Sequence, residues 1–140
     1  MAGGNRVELL LPASPEHVRT ARLVVVAVAR RAGLQDELVD ELRLAVGEAC
    51  ARAVGVNALQ SPAARVALSV EDDVTGLTVT VADAGSDSDH AYLDEEAFTE
   101  GSSPEVALAV LKGLVDELEV GPAPGGGTQV RMTWPLPVHV

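Results

Sequence analysis

Between Gln35 and Val56 the apolar residues Leu38, Leu42, Ala45, Val46, Ala49, Ala53 and Val56 recur at three- and four-residue steps. A stripe of that period, kept up over about five turns, predicts an amphipathic helix with one buried face. A helix is predicted before it as well. Ser14, Pro15 and Glu16 supply an N-cap, a first-turn proline and a first-turn acid, and Val18, Ala21, Val25, Val28, Ala29 and Ala32 carry the stripe to a stop at Gly33. Val7 to Leu11, closed by Pro12, predicts a short strand at the start of the chain. Downstream of the long helix the period changes to two. Arg65 to Glu71 and Leu77 to Val81 alternate, and Asp72, Asp73 and Gly76 predict the turn of an antiparallel hairpin. Helical spacing returns from Val106 to Leu118, Glu119 to Gly121 predicts a short strand, and Thr128 to Trp134 alternates again.

The order β-α-α-β-β-loop-α-β-β gathers most strands after the helices. It predicts an α+β fold, a two-layer sandwich with the helices packed on one face of a mostly antiparallel sheet. A length of 140 residues allows one compact domain, 1–140, and is short for two. From Asp83 to Glu105 there are eight acids, no Lys or Arg, and little periodicity. A loop of about twenty residues inside a compact domain is usually functional or disordered, which makes 84–104 a candidate lid.

Composition narrows the function classes. A formal charge of −11, from 21 acids and 10 bases, argues against direct nucleic-acid binding, which relies on Lys and Arg to neutralise phosphates. One Phe, one Tyr and one Trp leave little surface for stacking bases. The lone Cys50 forms no internal disulfide and no zinc cluster, and a buried filler is its expected role. His17, His90 and His139 are scattered and receive no role. The longest apolar run, Leu23 to Ala29, falls far below the roughly 20 residues that span a bilayer, and no signal peptide is visible at the start. Protein partners in the cytoplasm are the expectation, with no membrane contact.

The chemistry sits in four short motifs. Glu48-Ala49-Cys50-Ala51-Arg52-Ala53 lies on the long helix, Asp83-Ala84-Gly85 follows a strand, Leu114-Val115-Asp116-Glu117 follows the acidic loop, and Gly127-Thr128 opens the last strand. In this order and spacing they resemble the anti-sigma factors and serine protein kinases of the histidine kinase-like ATPase (GHKL) superfamily, whose helix motif is Glu-Ala-x-x-Asn-Ala. The resemblance spans about Val7 to Trp134 and implies that family's fold and dimeric state. It also implies roles. Glu48 would be the general base, a carboxylate held on a rigid helix, and Asp83 would accept the adenine amino group while Gly85 lets the backbone come close and Thr128 adds a hydroxyl to the same pocket. Each has a plainer reading. Glu48 and Arg52 form an i, i+4 pair on a solvated face, Asp-x-Gly is an ordinary turn, and Thr suits a strand.

Departures from the motif bear on activity. Where the family has the Asn that coordinates magnesium, this chain has Arg52, which offers no lone pair to a cation and could pair with Glu48. The family's Gly-x-Gly after the lid falls on Glu105-Val106-Ala107, removing backbone freedom and adding an acid near the expected γ-phosphate. The resemblance implies a regulator of a partner-switching pathway that binds a sigma factor, a STAS-type antagonist or both, and these changes predict that its ATP binding and kinase activity are lost or weakened. No cofactor or metal is expected on that reading. An active serine protein kinase, phosphorylating a STAS-domain antagonist with magnesium-ATP, is the alternative, and a scaffold or dimerisation domain is a third. Arg19, Arg22, Arg30 and Arg31 on the first helix could dock an acidic partner or could simply be a solvated face.

Overall fold

The computed structural model describes residues 5–85 and 104–137. Strand β1 (Arg6–Leu11) leads through a single 3-10 turn, Pro15–His17, into α1 (Val18–Ala32). Ser14 precedes the turn in extended conformation and makes no side-chain cap; its carbonyl instead accepts the His17 N–H at 3.2 Å. Gly33 ends α1 with a left-handed φ of 95°, a conformation glycine adopts without a Cβ penalty. Helix α2 (Asp36–Gln60) follows at once, its first turn carrying Asp36 and Glu37 where the helix dipole favours acids. At 25 residues it is about 37 Å long and crosses the whole domain.

After α2 come β2 (Val66–Asp73), β3 (Gly76–Ala82), α3 (Pro104–Leu114), β4 (Glu117–Pro122) and β5 (Thr128–Trp134). The five strands form one sheet in the order β1-β2-β3-β5-β4, every neighbour antiparallel. Among the described residues three helices pack on one face of it, as the alternation predicts. On that face Leu68, Val70, Leu77, Val79, Val81, Val130 and Met132 meet Leu42, Val46, Ala49 and Ala53 of α2 and Val25 of α1. Burying a Val or Leu side chain contributes about 1.5–3 kcal/mol, so this layer is the main source of stability. The single tryptophan, Trp134, is buried and donates its Nε1–H to Glu41 Oε1 at 2.9 Å, tying the end of β5 to the start of α2. Among the described residues no helix is long and apolar enough to cross a membrane.

Two local expectations are corrected. The hairpin turn is tighter than Asp72 to Gly76: Asp72 pairs with Leu77 in the strands, and Asp73 and Gly76 pair as the corners of a turn whose two-residue loop is Val74 and Thr75. The Asp73 carboxylate accepts both the backbone N–H and the hydroxyl of Thr75, which shortens the turn and holds its carboxyl below the ordinary carboxylate range. The third helix ends at Leu114 rather than Leu118. Val115 is buried after it, and Leu118 joins β4 opposite Met132, so strand pairing takes the residues that helical spacing would also accept. Of the candidate lid, 86–103 lies outside the described residues.

Gly76 shows how tightly the sheet closes. Its φ is +140°, and an added Cβ would come 2.3 Å from the Trp134 carbonyl oxygen. Gly76→Ala is expected to lower unfolding stability by about 2–3 kcal/mol. Urea denaturation reads the change directly, and an unchanged midpoint would show that the β3 to β5 contact is looser than described.

Candidate functional site

Two turns of α2, the end of β3 and the start of β5 meet at one point. The register that pairs Ala82 with Gln129 continues one step further, where the Asp83 N–H donates to the Thr128 carbonyl at 2.9 Å. This turns the Asp83 side chain back into the protein. Its Oδ1 accepts the Gly85 N–H at 2.9 Å and the Thr128 N–H at 3.1 Å. Its Oδ2 accepts the Arg52 Nη1–H at 2.9 Å, in an ion pair whose two side chains are each 1% exposed.

Glycine is dictated on both sides of this carboxylate. A Cβ on Gly127, which has φ +89°, would sit 2.2 Å from the Asp83 carbonyl oxygen. A Cβ on Gly85 would meet Val56 Cγ1 at 2.9 Å and Gln60 Oε1 at 3.0 Å. The Asp-x-Gly and Gly-Thr motifs are thus two halves of one packed corner.

The next residue is held from the helix. Asn57 Oδ1 accepts the Ala84 N–H at 2.7 Å, Asn57 Nδ2 donates to the Ala64 carbonyl at 3.3 Å, and Ser61 Oγ donates to the Ala84 carbonyl at 2.8 Å. Both polar groups of the Ala84 backbone are therefore satisfied by the C-terminal end of α2. Sequence reasoning passed over Asn57 and Ser61. An asparagine continuing the buried face of a helix, where its propensity is poor, was the available signal.

The other candidates are placed as follows. Glu48 lies half-buried one turn before Arg52, and its side chain makes no hydrogen bond or ion pair among the described residues. The expected Arg52 to Glu48 pair is thus replaced by Arg52 to Asp83, because the long guanidinium arm reaches inward across the layer instead of along the helix surface. Thr128 is buried, and its hydroxyl has no hydrogen-bond partner among the described residues. Glu105 and Ala107 fall in the first turns of α3, so the backbone there is helical. Arg19 is exposed, while Arg22 is half-buried with its Cδ 3.0 Å from where a Gly47 Cβ would be, which makes Arg22 a packing residue between α1 and α2. Burial pushes the Cys50 thiol up to about 12, against a smaller lowering by Arg22, so it stays protonated and inert at neutral pH.

Residues 11–134 match the model of the histidine kinase-like ATPase domain. The chain belongs to the histidine kinase-like ATPase family. Within that family it is similar to serine-protein kinase RsbW of Bacillus pumilus, 33% identical over 140 residues that cover 91% of this chain and 83% of that protein. RsbW of Bacillus velezensis is 31% identical with the same coverage, and RsbW of Bacillus subtilis is 29% identical over 81% of this chain and 76% of its own. The crystal structure of the RsbU and RsbW domains of Rv1364c from Mycobacterium tuberculosis superposes with a TM-score of 0.65 at 17% identity, over 94% of this chain and 32% of that one. That likeness is one of fold.

The histidine kinase-like ATPase family implies magnesium-ATP, and the described corner does not fit it. The Asp83 carboxylate already receives three donors, and the space before Oδ2 is filled by a buried guanidinium. Arg52 itself has no lone pair for a metal.

A buried pair of this kind is costly to break, since the remaining charge is stranded. Arg52→Met is expected to destabilise the fold by about 3–5 kcal/mol. Asp83→Ala is expected to cost more, because it also leaves the Gly85 and Thr128 amides unpaired, at about 1–3 kcal/mol each. Losses below about 1 kcal/mol for both, the range of surface pairs, in urea denaturation would contradict the buried arrangement.

Proposed function

We propose that this chain is an anti-sigma-type regulator of a partner-switching pathway, which captures a sigma factor, a STAS-type antagonist or both, without using a nucleotide. The supporting observation is the Arg52 to Asp83 pair, buried within a chain that matches the histidine kinase-like ATPase domain over residues 11–134. The RsbW relatives are serine-protein kinases by name, and this chain carries the same domain family. Where the family motif has Asn, this chain places the Arg52 side chain against the carboxylate that the resemblance assigns to adenine. On this reading no ATP or metal is required, and the protein works stoichiometrically in the cytoplasm, as a homodimer.

Charge suggests where the partner docks. Helix α1 exposes Arg19, Arg30 and Arg31 together with Leu23, which is 62% exposed, on a molecule of net charge −11. An apolar contact ringed by arginines suits an acidic partner surface and speeds its encounter.

The second reading, an active serine protein kinase, has one observation in its favour. Among the described residues the Glu48 carboxylate has no hydrogen-bond or ion-pair partner, and it sits on a rigid helix, as a general base requires. Transfer of the ATP γ-phosphate to a serine of a STAS-domain antagonist by the purified protein would establish it.

The test is the affinity for sigma factors and STAS-domain proteins encoded alongside it, measured with ATP, with ADP and with neither. The expected result is one complex whose Kd is the same in all three conditions, weakened by about tenfold or more in Arg19→Glu. A Kd that changes about tenfold between ATP and ADP, or no complex with any such partner, overturns the proposal.

A further inference from the structure

The way Arg52 meets Asp83 says how nucleotide is kept out. Asp83 Oδ1 is saturated by two backbone amides, so this oxygen is part of the frame and stays in place whatever sits opposite. Oδ2 is different. Its recorded donor is a side chain that crosses from α2, thirty-one positions away in sequence, and is 1% exposed. A second polar group on this corner lacks a partner among the described residues: the hydroxyl of Thr128, a residue 2% exposed whose N–H is held by Asp83 Oδ1. A buried hydroxyl left unpaired costs about 1–3 kcal/mol and is uncommon in a settled core.

The frame around these groups has not collapsed. Gly85 and Gly127 keep the close backbone approach that only glycine permits, and Asn57 and Ser61 still hold both ends of the Ala84 peptide. Asp83 Oδ2 is a fixed acceptor, and Thr128, held by the other oxygen of the same carboxylate, carries a hydroxyl that can donate; the corner thus offers an acceptor and donor pair. That pair is complementary to a planar group with an N–H beside a ring nitrogen, the edge of a 6-aminopurine or an amidine. A guanidinium is the amino-acid side chain closest to this chemistry, planar and rich in N–H donors.

We infer that Arg52 is a built-in ligand: its guanidinium occupies a preserved subsite for a planar amino-nitrogen base, and this one side chain, not decay of the pocket, excludes the nucleoside. The inference rests on the nucleotide-free reading above and adds its cause. It moves the decisive change from the phosphate region to a single contact, so shortening Arg52 reopens the subsite.

Adenosine is the probe, because it lacks phosphates and needs no magnesium; the first turn of α3 therefore plays no part. Purine riboside, which lacks the 6-amino donor, is the control. Calorimetry and thermal melts are run on wild type, Arg52→Ala, Arg52→Asn and Arg52→Ala with Asp83→Asn. The expected result is that adenosine binds Arg52→Ala or Arg52→Asn about tenfold or more tightly than wild type and raises their Tm by several degrees. Purine riboside should do neither, and Asp83→Asn should abolish the gain. Comparable adenosine binding by wild type overturns the inference, as does a folded Arg52→Ala and Arg52→Asn pair that binds neither nucleoside. If neither variant folds alone, refolding in adenosine decides: rescue by adenosine and not by purine riboside supports it, and no rescue overturns it. Protein-partner capture is assayed separately on wild type. Its failure would end the regulator reading while leaving the adenosine result intact.

Discussion

A carboxylate with both faces inside the protein must be met by donors, and Asp83 is met by three. Two are backbone amides that exist only because β3 and β5 are in register to their ends, with Ala82 opposite Gln129 and the Asp83 N–H on the Thr128 carbonyl. The third is Arg52, which positions α2 over the sheet at one rotation and one height. Helix, hairpin end and last strand are thereby locked to one charge. The requirement follows from solvation: an unpaired buried charge costs several kcal/mol, a sizeable share of a domain's whole stability. Gly85 and Gly127 are consequences of the same point, since three chain segments converge where a Cβ has no room.

Much of this fold could be read from local pattern. The α2 stripe from Leu38 to Val56 became the buried face of a 25-residue helix, and the alternation of Val66 to Glu71 and Leu77 to Val81 became paired strands. These signals survive because burial imposes the same period locally that the tertiary structure needs. Legibility failed where two local patterns compete. Leu118 suits a helix stripe and a strand face equally, and its pairing with Met132, a contact between distant positions, decided for the strand. Asp72 and Asp73 have turn chemistry, yet Asp73 does its work from inside the strand by capping Thr75.

The site was legible in its parts and not in its connections. Asp83, Gly85, Arg52 and Thr128 were identified by their motifs, and the structure gathers the other three around the Asp83 carboxylate. Helical spacing pointed Arg52 at Glu48, its neighbour one turn away, because surface rules assume that long side chains lie along their own helix. Burial reverses that assumption: an inward guanidinium must find an acid in the core, and among the described residues Asp83 is the buried acid. Asn57 was missed for a related reason, its partners Ala64 and Ala84 being set by loop geometry. Family membership supplies the scaffold, and function follows from what this chain has placed on it.

The central claim is that the Asp83 corner is complete without a nucleotide. Amide hydrogen exchange at Gly85 and Thr128 measures this directly, because both N–H groups end on Asp83 Oδ1. The account predicts that the two amides are protected to the same degree in the free protein and in the presence of magnesium-ATP. Rapid exchange in the free protein that slows on adding magnesium-ATP would contradict it, and would return the Asp83 carboxylate to a bound nucleotide.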